Sequence, residues 1–318
     1  MNNKPKMKQS PARTVAFISN KGGVGKTHIS VNLAIQCARE GRRVLLADTD
    51  LGSANADTRL GVRPSKTLLD FYERRADIFQ CLTPTNYGVH FLAGRSGEFA
   101  LANLAHSQKV RLMKAFDRLV EQGGYDEVFF DLGAGIGSRV LDFALVADEC
   151  VIVATPTDIV AAYSALKATW IRFNELREMR FFKERLKANE PFFLATTGDG
   201  RAPGPRVNFI VNQVDNLREG KQVFLRILDV SRSWFYQEDG RWGFSVRYLG
   251  GIPYVYGLLR EAERARVPAI IRFPHDAFSH AIREISGVLL ARQALAPDRL
   301  RISFGDRVRG VLNRWATT

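Results

Sequence analysis

Two lysines and three glycines between positions 20 and 27 form the most specific chemical pattern in the sequence. The stretch is NKGGVGKT, and it stands between an apolar run and a segment of helical period. Glycines allow a backbone to wrap around a phosphate and to point its N–H groups inward. In such a loop Lys26 reaches the β- and γ-phosphates, and the Thr27 hydroxyl ligates Mg²⁺. The pattern predicts a phosphate loop of the Walker A type, although Asn20 replaces its usual first glycine. The predicted ligand residues are Gly22, Gly23, Val24, Gly25, Lys26, Thr27 and His28.

Carboxylates follow two other apolar runs of the chain. Asp48 and Asp50 come at and just after the end of one run, and Asp131 ends another, before a turn that contains Gly133. Acidic residues at the carboxyl ends of parallel strands lie at the crevice where α/β proteins bind ligands. Asp131 and its glycine-rich turn therefore have the layout of a Walker B site. Asp48 and Asp57 remain open between a role at the ligand and local capping or turn chemistry.

Short apolar runs alternate along the chain with longer stretches of helical period. Nearly continuous runs of Val, Ile, Leu and Phe are expected where helices cover both faces of a parallel sheet. We therefore predict an α/β fold with a single doubly wound, mostly parallel sheet flanked by helices, as in P-loop NTPases. The predicted strands are Val15–Ser19, Arg43–Asp48, Val89–Ala93, Glu127–Asp131, Cys150–Ala154, Val207–Asn212 and Arg247–Gly251. Asn212 closes the sixth of these, where an asparagine serves either a ligand or a turn.

The composition excludes several classes of protein. The chain has 318 residues, of which 46% are hydrophobic and 25% charged, so it can bury a substantial core. No run approaches the roughly 18 apolar residues that span a bilayer. Three widely spaced cysteines favour neither a disulfide framework nor a metal motif, and they fit a reducing, cytoplasmic location. The net charge of +13 indicates an acidic partner, either nucleic acid or an anionic membrane.

The stretch Lys21–Thr27 resembles, residue for residue, the deviant Walker A motif of the MinD/ParA family of ATPases. Residues 48–57 resemble the first switch of that family. The resemblance implies a MinD-like ATPase in which ATP and Mg²⁺ close a homodimer and Lys21 reaches the nucleotide of the partner subunit. It implies that Asp50 positions the attacking water and that Asp131 holds Mg²⁺ through water.

Three further roles follow from the same resemblance. Gly133 senses the γ-phosphate, Asn212 hydrogen-bonds the edge of the adenine, and Pro253 packs beside the base. The resemblance thus makes Lys21, Lys26, Asp50 and Asp131 the predicted catalytic residues. Thr27, Asp50 and Asp131 are the predicted metal ligands.

Segments outside the nucleotide motifs resemble one branch of the family, the flagellar-number regulators FlhG, FleN and YlxH. These segments are 89–97, 101–104, 131–136 and 155–163. The branch implies an ATP-dependent dimerisation and localisation switch that controls flagellar number or placement, together with a flagellar GTPase or assembly partner. Two alternatives stay open: a ParA-type segregation or cargo-positioning ATPase that binds DNA non-specifically, and an ATP-binding scaffold with negligible hydrolysis.

The predicted domain plan has three parts: a flexible basic N-terminus at 1–13, an ATPase domain at 14–296 with an insertion at about 171–206, and a tail at 297–318. The tail carries one apolar stripe at helical spacing with arginines around it, the pattern of a helix that lies in an anionic membrane interface. The stripe residues are Phe304, Val308, Val311, Leu312 and Trp315. This predicts peripheral attachment to the inner face of the cell membrane; the alternative is a helix docked on the core.

Overall fold

A twisted sheet of eight strands, in the order β3-β4-β2-β5-β1-β6-β7-β8, forms the centre of the protein. The computed structural model describes residues 11–49, 55–94, 106–177, 206–235, 245–291 and 304–315. Neighbouring strands pair in parallel except β3, which pairs antiparallel with β4 at one edge. The strands are β1 Arg13–Ile18, β2 Val44–Asp48, β3 Leu82–Pro84, β4 Val89–Leu92, β5 Glu127–Asp131, β6 Glu149–Ala154, β7 Arg206–Val214 and β8 Ser245–Pro253. All seven predicted strands are confirmed; only the short β3 was not predicted.

Helices cover both faces of this sheet. They are α1 Lys26–Arg39, α2 Ala56–Leu60, α3 Leu68–Tyr72, α4 His106–Gln122, α5 Ser138–Val146, α6 Ile159–Arg177, α7 Leu217–Phe235, α8 Tyr256–Ala265, α9 Ala269–Arg272, α10 Ala277–Leu290 and α11 Phe304–Trp315. Alternate residues of β1 enter different cores: Val15 and Phe17 pack on one face, and Ala16 and Ile18 on the other. The doubly wound α/β fold predicted from the sequence is confirmed.

The strand order determines where the loops of the sheet meet. The central strand β1 lies between β5 and β6, and β2 flanks β5 on its far side. Because these strands are parallel, their carboxyl ends and the loops that follow them share one edge of the sheet. The phosphate loop after β1, Thr49 after β2 and the turn after β5 are therefore brought together by the topology, at the kind of crevice that binds ligands in α/β proteins.

The C-terminal helix α11 corrects the prediction of an exposed membrane-binding stripe. Phe304, Val308, Val311 and Leu312 are buried, and they pack against α4 and α5. The ring of Phe304 stacks on Phe130 of β5, with 6.0 Å between the ring centroids. The stripe is apolar because it faces the core of the protein, so the docked helix does not present it to a membrane. The side chain of Trp315 lies outside the described part of the chain.

A buried ion pair fixes the same helix. The Arg307 guanidinium donates to Asp148 Oδ1 at 2.8 Å and to the Val146 carbonyl oxygen at 2.7 Å. Thr14 holds the other oxygen of Asp148 through its N–H and its hydroxyl. An arginine that the sequence placed beside the stripe thus ties α11 to the amino end of the sheet.

The first residues of the predicted insertion at about 171–206 belong to a helix that packs on the core. Helix α6 continues to Arg177, and Phe173 and Leu176 of that helix are buried in the core. Residues 178–205 lie outside the described residues, as do residues 1–10 of the predicted N-terminal segment. Among the described helices, none combines the length and apolar character needed to cross a bilayer.

Candidate functional site

The phosphate loop joins the end of β1 to the start of α1. Gly23 and Gly25 adopt left-handed backbone conformations, with φ of 81° and 89°. At Gly25 a Cβ would stand 2.3 Å from Asn212 Nδ2, so this position requires glycine both for its conformation and for its close packing. Gly22 has open space where its Cβ would be. The loop then leads into helix α1, whose first residue is Lys26.

Lys26 and Asp131 form a buried pair at the base of the loop. The distance from Lys26 Nζ to Asp131 Oδ1 is 2.5 Å, and both side chains are almost inaccessible to solvent. The other oxygen of Asp131, Oδ2, is buried and has no hydrogen-bond partner among the described residues. A buried carboxylate oxygen left without a donor is costly. It fits a role in holding a cation or its coordinated water.

Asp48 and Thr49 hold the neighbouring segment in place. Asp48 Oδ2 accepts a hydrogen bond from Ala56 N at 3.3 Å, at the start of helix α2. Thr49 donates to the Asp131 carbonyl oxygen through both its N–H and its hydroxyl, each at 3.0 Å. The sequence left Asp48 open between a role at the ligand and capping or turn chemistry, and its hydrogen bond with Ala56 N is a capping contact. Asp50, the predicted water-positioning residue, lies outside the described residues, as do positions 95–97 and 101–104.

The second lysine of the loop points away from Lys26 and meets a different carboxylate. Lys21 Nζ lies 2.8 Å from Asp158 Oδ1, and 60% of the Lys21 side chain is exposed. The hydrogen bond from Lys21 holds the pKa of Asp158 below its usual range. The loop therefore presents one cation inside the site and a second at its surface.

Asn212 lies at the carboxyl end of β7, directly against the phosphate loop. Its Nδ2 donates to the Val24 carbonyl oxygen at 2.8 Å. Next to it, Gln213 has a left-handed backbone with φ of 60°. Asn208, within the same strand, is buried and donates to Glu149 at 2.8 Å, so it has a structural role. The structure thus brings Asn212 to the site.

A cavity of about 470 Å³ opens above the loop. Its lining includes nine predicted or motif residues: Lys21, Gly22, Gly23, Val24, Gly25, Lys26, Thr27, His28 and Asn212. Asp131, Gly133 and Pro253 do not line it, although Lys26, the partner of Asp131, and Ala134, beside Gly133, do. Sequence reasoning missed Ser19, Asn55, Arg59, Gln213, Tyr256, Leu259, Arg260 and Glu263. Four of these belong to α8, which begins three residues after the predicted base-packing residue Pro253, and that proximity in the chain was a signal for them.

His28 contributes a neutral side chain to the lining. Burial, and secondarily the positive charge of Arg59, lower its pKa to about 3. It therefore carries no charge near pH 7, and the cations that line the cavity are lysines and arginines.

These features fit a nucleoside polyphosphate with its Mg²⁺. The cavity has the size of a small-molecule site, its floor is a glycine loop at a helix N-terminus, and Lys26 and Thr27 line it together. The orphaned oxygen of Asp131 supplies the acidic group that a hard cation requires. The geometry of the loop is therefore consistent with the ligand that the sequence predicts, a nucleotide with Mg²⁺.

Comparison with known proteins agrees with this geometry. The AAA-domain family matches residues 12–187, which is more than half of the chain. The antiactivator FleN of Pseudomonas aeruginosa is 29% identical over 278 residues, covering 87% of this chain and 85% of that protein. The flagellum site-determining protein YlxH of Helicobacter pylori is 28% identical over 285 residues, covering 87% and 82%.

A solved structure shares the fold. The septum site-determining protein MinD of Pyrococcus horikoshii, complexed with Mg-ADP, superposes with a TM-score of 0.61 at 21% identity. The match covers 90% of this chain and 99% of that one. At this identity the likeness supports the architecture of the sheet and its loops.

Proposed function

The chain belongs to the AAA-domain family, as a P-loop protein of the MinD/ParA type, and from this membership we propose that it is an ATP-driven dimerisation switch. ATP with Mg²⁺ occupies the cavity above the phosphate loop and brings two copies of the chain together. Hydrolysis then returns them to monomers. One observation carries the proposal: a single glycine loop holds Lys26 inside the site and Lys21 exposed at its mouth.

Each predicted residue has a defined task in the proposed reaction, which is in-line attack of water on the γ-phosphate. Lys26 stabilises charge on the phosphates, and Thr27 and Asp131 hold the metal directly or through water. Mg²⁺, when bound, supplies electrostatic stabilisation of the phosphate oxygens. Asp50 positions the water, and Lys21 of the partner subunit adds a cation to the transition state.

The inward and outward directions of the two lysines support this division of labour. Lys26 is held by a carboxylate inside its own subunit, so it serves the nucleotide that the same subunit binds. The Lys21 side chain is mostly in solvent, and only an exposed pair with Asp158 restrains it. A cation in that position is available to a second copy of the chain.

We further propose that the switch controls flagellar number or placement. The support comes from two relatives, an antiactivator in Pseudomonas aeruginosa and a flagellum site-determining protein in Helicobacter pylori, each matched over most of its length. A flagellar GTPase or assembly factor is the corresponding partner. A cytoplasmic location is proposed from the three cysteines, all of them buried and free.

Three variants of the purified full chain test the switch, with phosphate release and molar mass as readouts. Asp50→Ala is expected to bind ATP and dimerise but to lose turnover, whereas Lys21→Ala is expected to bind ATP and stay monomeric. Asp229→Ala is the matched control, because Asp229 is an exposed carboxylate of α7 that pairs with Arg232 and does not line the cavity, and it is expected to behave like the wild type.

Two outcomes would contradict the proposal. ATP binding without measurable turnover in the wild type would support the nucleotide-binding scaffold instead. Turnover by a protein that stays monomeric with ATP would exclude the dimer switch. The flagellar role is tested separately, by counting flagella in cells that lack the protein and in cells that carry only Asp50→Ala; normal counts in both would exclude it.

A further inference from the structure

Arg59 lies in the wall of the nucleotide cavity, on the short helix α2. Its side chain is only 13% exposed, and it lines the same space as Lys26 and Thr27. The helix that carries it begins within the first switch segment, residues 48–57. No motif of the phosphate loop includes this residue, and its presence at the site depends on how α2 packs.

The hydrogen bonds of Arg59 leave one donor unused. Arg59 Nη2 lies 2.8 Å from Glu263 Oε1 of α8, and Arg59 Nη1 donates to the Asn55 carbonyl oxygen at 3.1 Å. Its Nε is buried and donates to no acceptor among the described residues. An unsatisfied buried donor is destabilising, and more so on a charged group. A guanidinium kept in that state beside a phosphate loop is suited to an acceptor that arrives with the ligand.

Helix α2 is fixed at both ends, so the position of Arg59 is prepared in advance. At its start, Ala56 N donates to the buried Asp48 carboxylate. At its end, Gly61 has φ of 64°, and a Cβ there would stand 2.3 Å from the Arg266 carbonyl oxygen. Such close packing against the residue that ends α8 leaves α2 little freedom to shift. A binding group held by rigid neighbours loses less entropy when it meets its ligand.

The charge of Arg59 acts on the phosphate end of the cavity. Burial lowers the pKa of Arg59, while Glu263 and then Asp131 act in the opposite direction, and an arginine stays protonated in proteins. The same charge contributes to the low pKa of His28, the residue after Thr27. Arg59 is therefore electrostatically coupled to both the metal-binding carboxylate and the first turn of α1.

We propose that Arg59 binds the phosphate groups of the nucleotide, as a further cation beside Lys26, and that Glu263 holds it in the cavity wall until the nucleotide arrives. The inference rests on the nucleotide site proposed above. It predicts that a bound polyphosphate takes the place of Glu263 as an acceptor of Arg59. The contact between α2 and α8 would then depend on the nucleotide.

Titration with fluorescent ATP, with adenosine as a competitor, tests the proposal without using turnover. Arg59→Leu is expected to weaken ATP binding at least tenfold, in line with the loss of a charge-assisted hydrogen bond, and to leave competition by adenosine unchanged. Arg59→Lys is expected to recover most of the affinity, because it restores the charge. Arg59→Gln, similar in polarity and size, is the second variant should the leucine variant not fold.

Glu263→Gln separates phosphate binding from a structural salt bridge. If the Arg59–Glu263 pair only ties α2 to α8, breaking it from either side weakens ATP binding in the same direction. If Arg59 binds phosphate, the glutamine oxygen still accepts a hydrogen bond from Arg59 and keeps it in place, while one negative charge leaves the cavity, so ATP binding strengthens by about threefold. Weaker binding in Glu263→Gln would therefore overturn the inference.

Arg272→Leu is the matched control. Arg272 lies on α9 and pairs at 2.7 Å with Glu261 of α8, the helix that also carries Glu263. Neither Arg272 nor Glu261 lines the cavity. The loss of Arg272 is expected to leave ATP affinity unchanged; a tenfold loss would mean that any arginine anchoring α8 acts indirectly.

Lys26→Ala distinguishes the two levels of the hypothesis. If it binds ATP as well as the wild type, the proposed nucleotide site itself is wrong. If it loses ATP while Arg59→Leu binds within twofold of the wild type, only the role of Arg59 is wrong.

Discussion

Lys21 of the phosphate loop and Asp158, which follows β6, form a direct ion pair, with 2.8 Å between Nζ and Oδ1. Asp158 is also held by Thr155, whose hydroxyl donates to its second oxygen at 3.3 Å. The lysine expected to reach a partner subunit is thus restrained within its own subunit. In the proposed switch this contact opposes dimerisation, since Lys21 has to leave Asp158 before it reaches a second nucleotide.

Asp158→Asn is expected to strengthen the ATP-dependent dimer by no more than about fivefold. The limit follows from the exposure of the pair, because exposed ion pairs contribute roughly 0.2–1 kcal/mol. Sedimentation velocity with and without ATP measures the dimer constant. Asp126→Asn removes a comparable exposed partner, that of Arg43, and is expected to have no effect. A weaker dimer in Asp158→Asn would mean that the carboxylate acts across the interface.

Gly25→Ala is expected to destabilise the protein even without nucleotide. The left-handed conformation costs an alanine about 1–2 kcal/mol, and the new methyl group overlaps the Asn212 amide. Thermal unfolding without ligand measures the effect. Gly22→Ala is the control, because Gly22 has open space and lies outside the left-handed region. Equal melting temperatures for the two variants would contradict the packing of Asn212 on the loop.

The strands and the phosphate loop could be predicted from the sequence because their signals are local. A buried parallel strand is a continuous apolar run, and the loop contains its own glycines and lysines. Strand β3 was missed because Leu82–Pro84 has three residues, includes a proline and gains its pairing only at the edge of the sheet. No periodicity can be read from so short a segment.

The rest of the cavity wall could not be predicted because it depends on tertiary packing. Arg59 and Glu263 are about two hundred positions apart in the chain, and α2 and α8 meet only through the fold. The C-terminal helix shows the same limit. Its apolar stripe requires an apolar environment, but periodicity alone does not distinguish lipid from the faces of α4 and α5.

Arg307→Met is expected to lower the free energy of unfolding by about 3–5 kcal/mol. The substitution leaves Asp148 charged and buried without its 2.8 Å partner, and breaking one side of a buried ion pair has an effect of that order. Urea denaturation measures it. Arg226→Met, at an exposed position of α7, is expected to change stability by less than about 0.5 kcal/mol. Equal effects would favour a loosely attached tail over the docked helix.

Glu127→Gln is expected to remove a pH dependence of stability between about pH 4.5 and pH 7. Burial raises the pKa of Glu127 from 4.5 to about 7, against the opposing charges of Arg13 and Arg42 and with a smaller contribution from Glu149. Since the folded pKa is above the unfolded one, the stabilisation is complete below pH 4.5 and is lost as pH rises through 7. One pKa unit corresponds to about 1.4 kcal/mol, so the wild type is expected to lose roughly 3 kcal/mol over this range. Urea denaturation at pH 5 and pH 8 measures the difference; a glutamine variant with the same slope as the wild type would assign the pH dependence to another group.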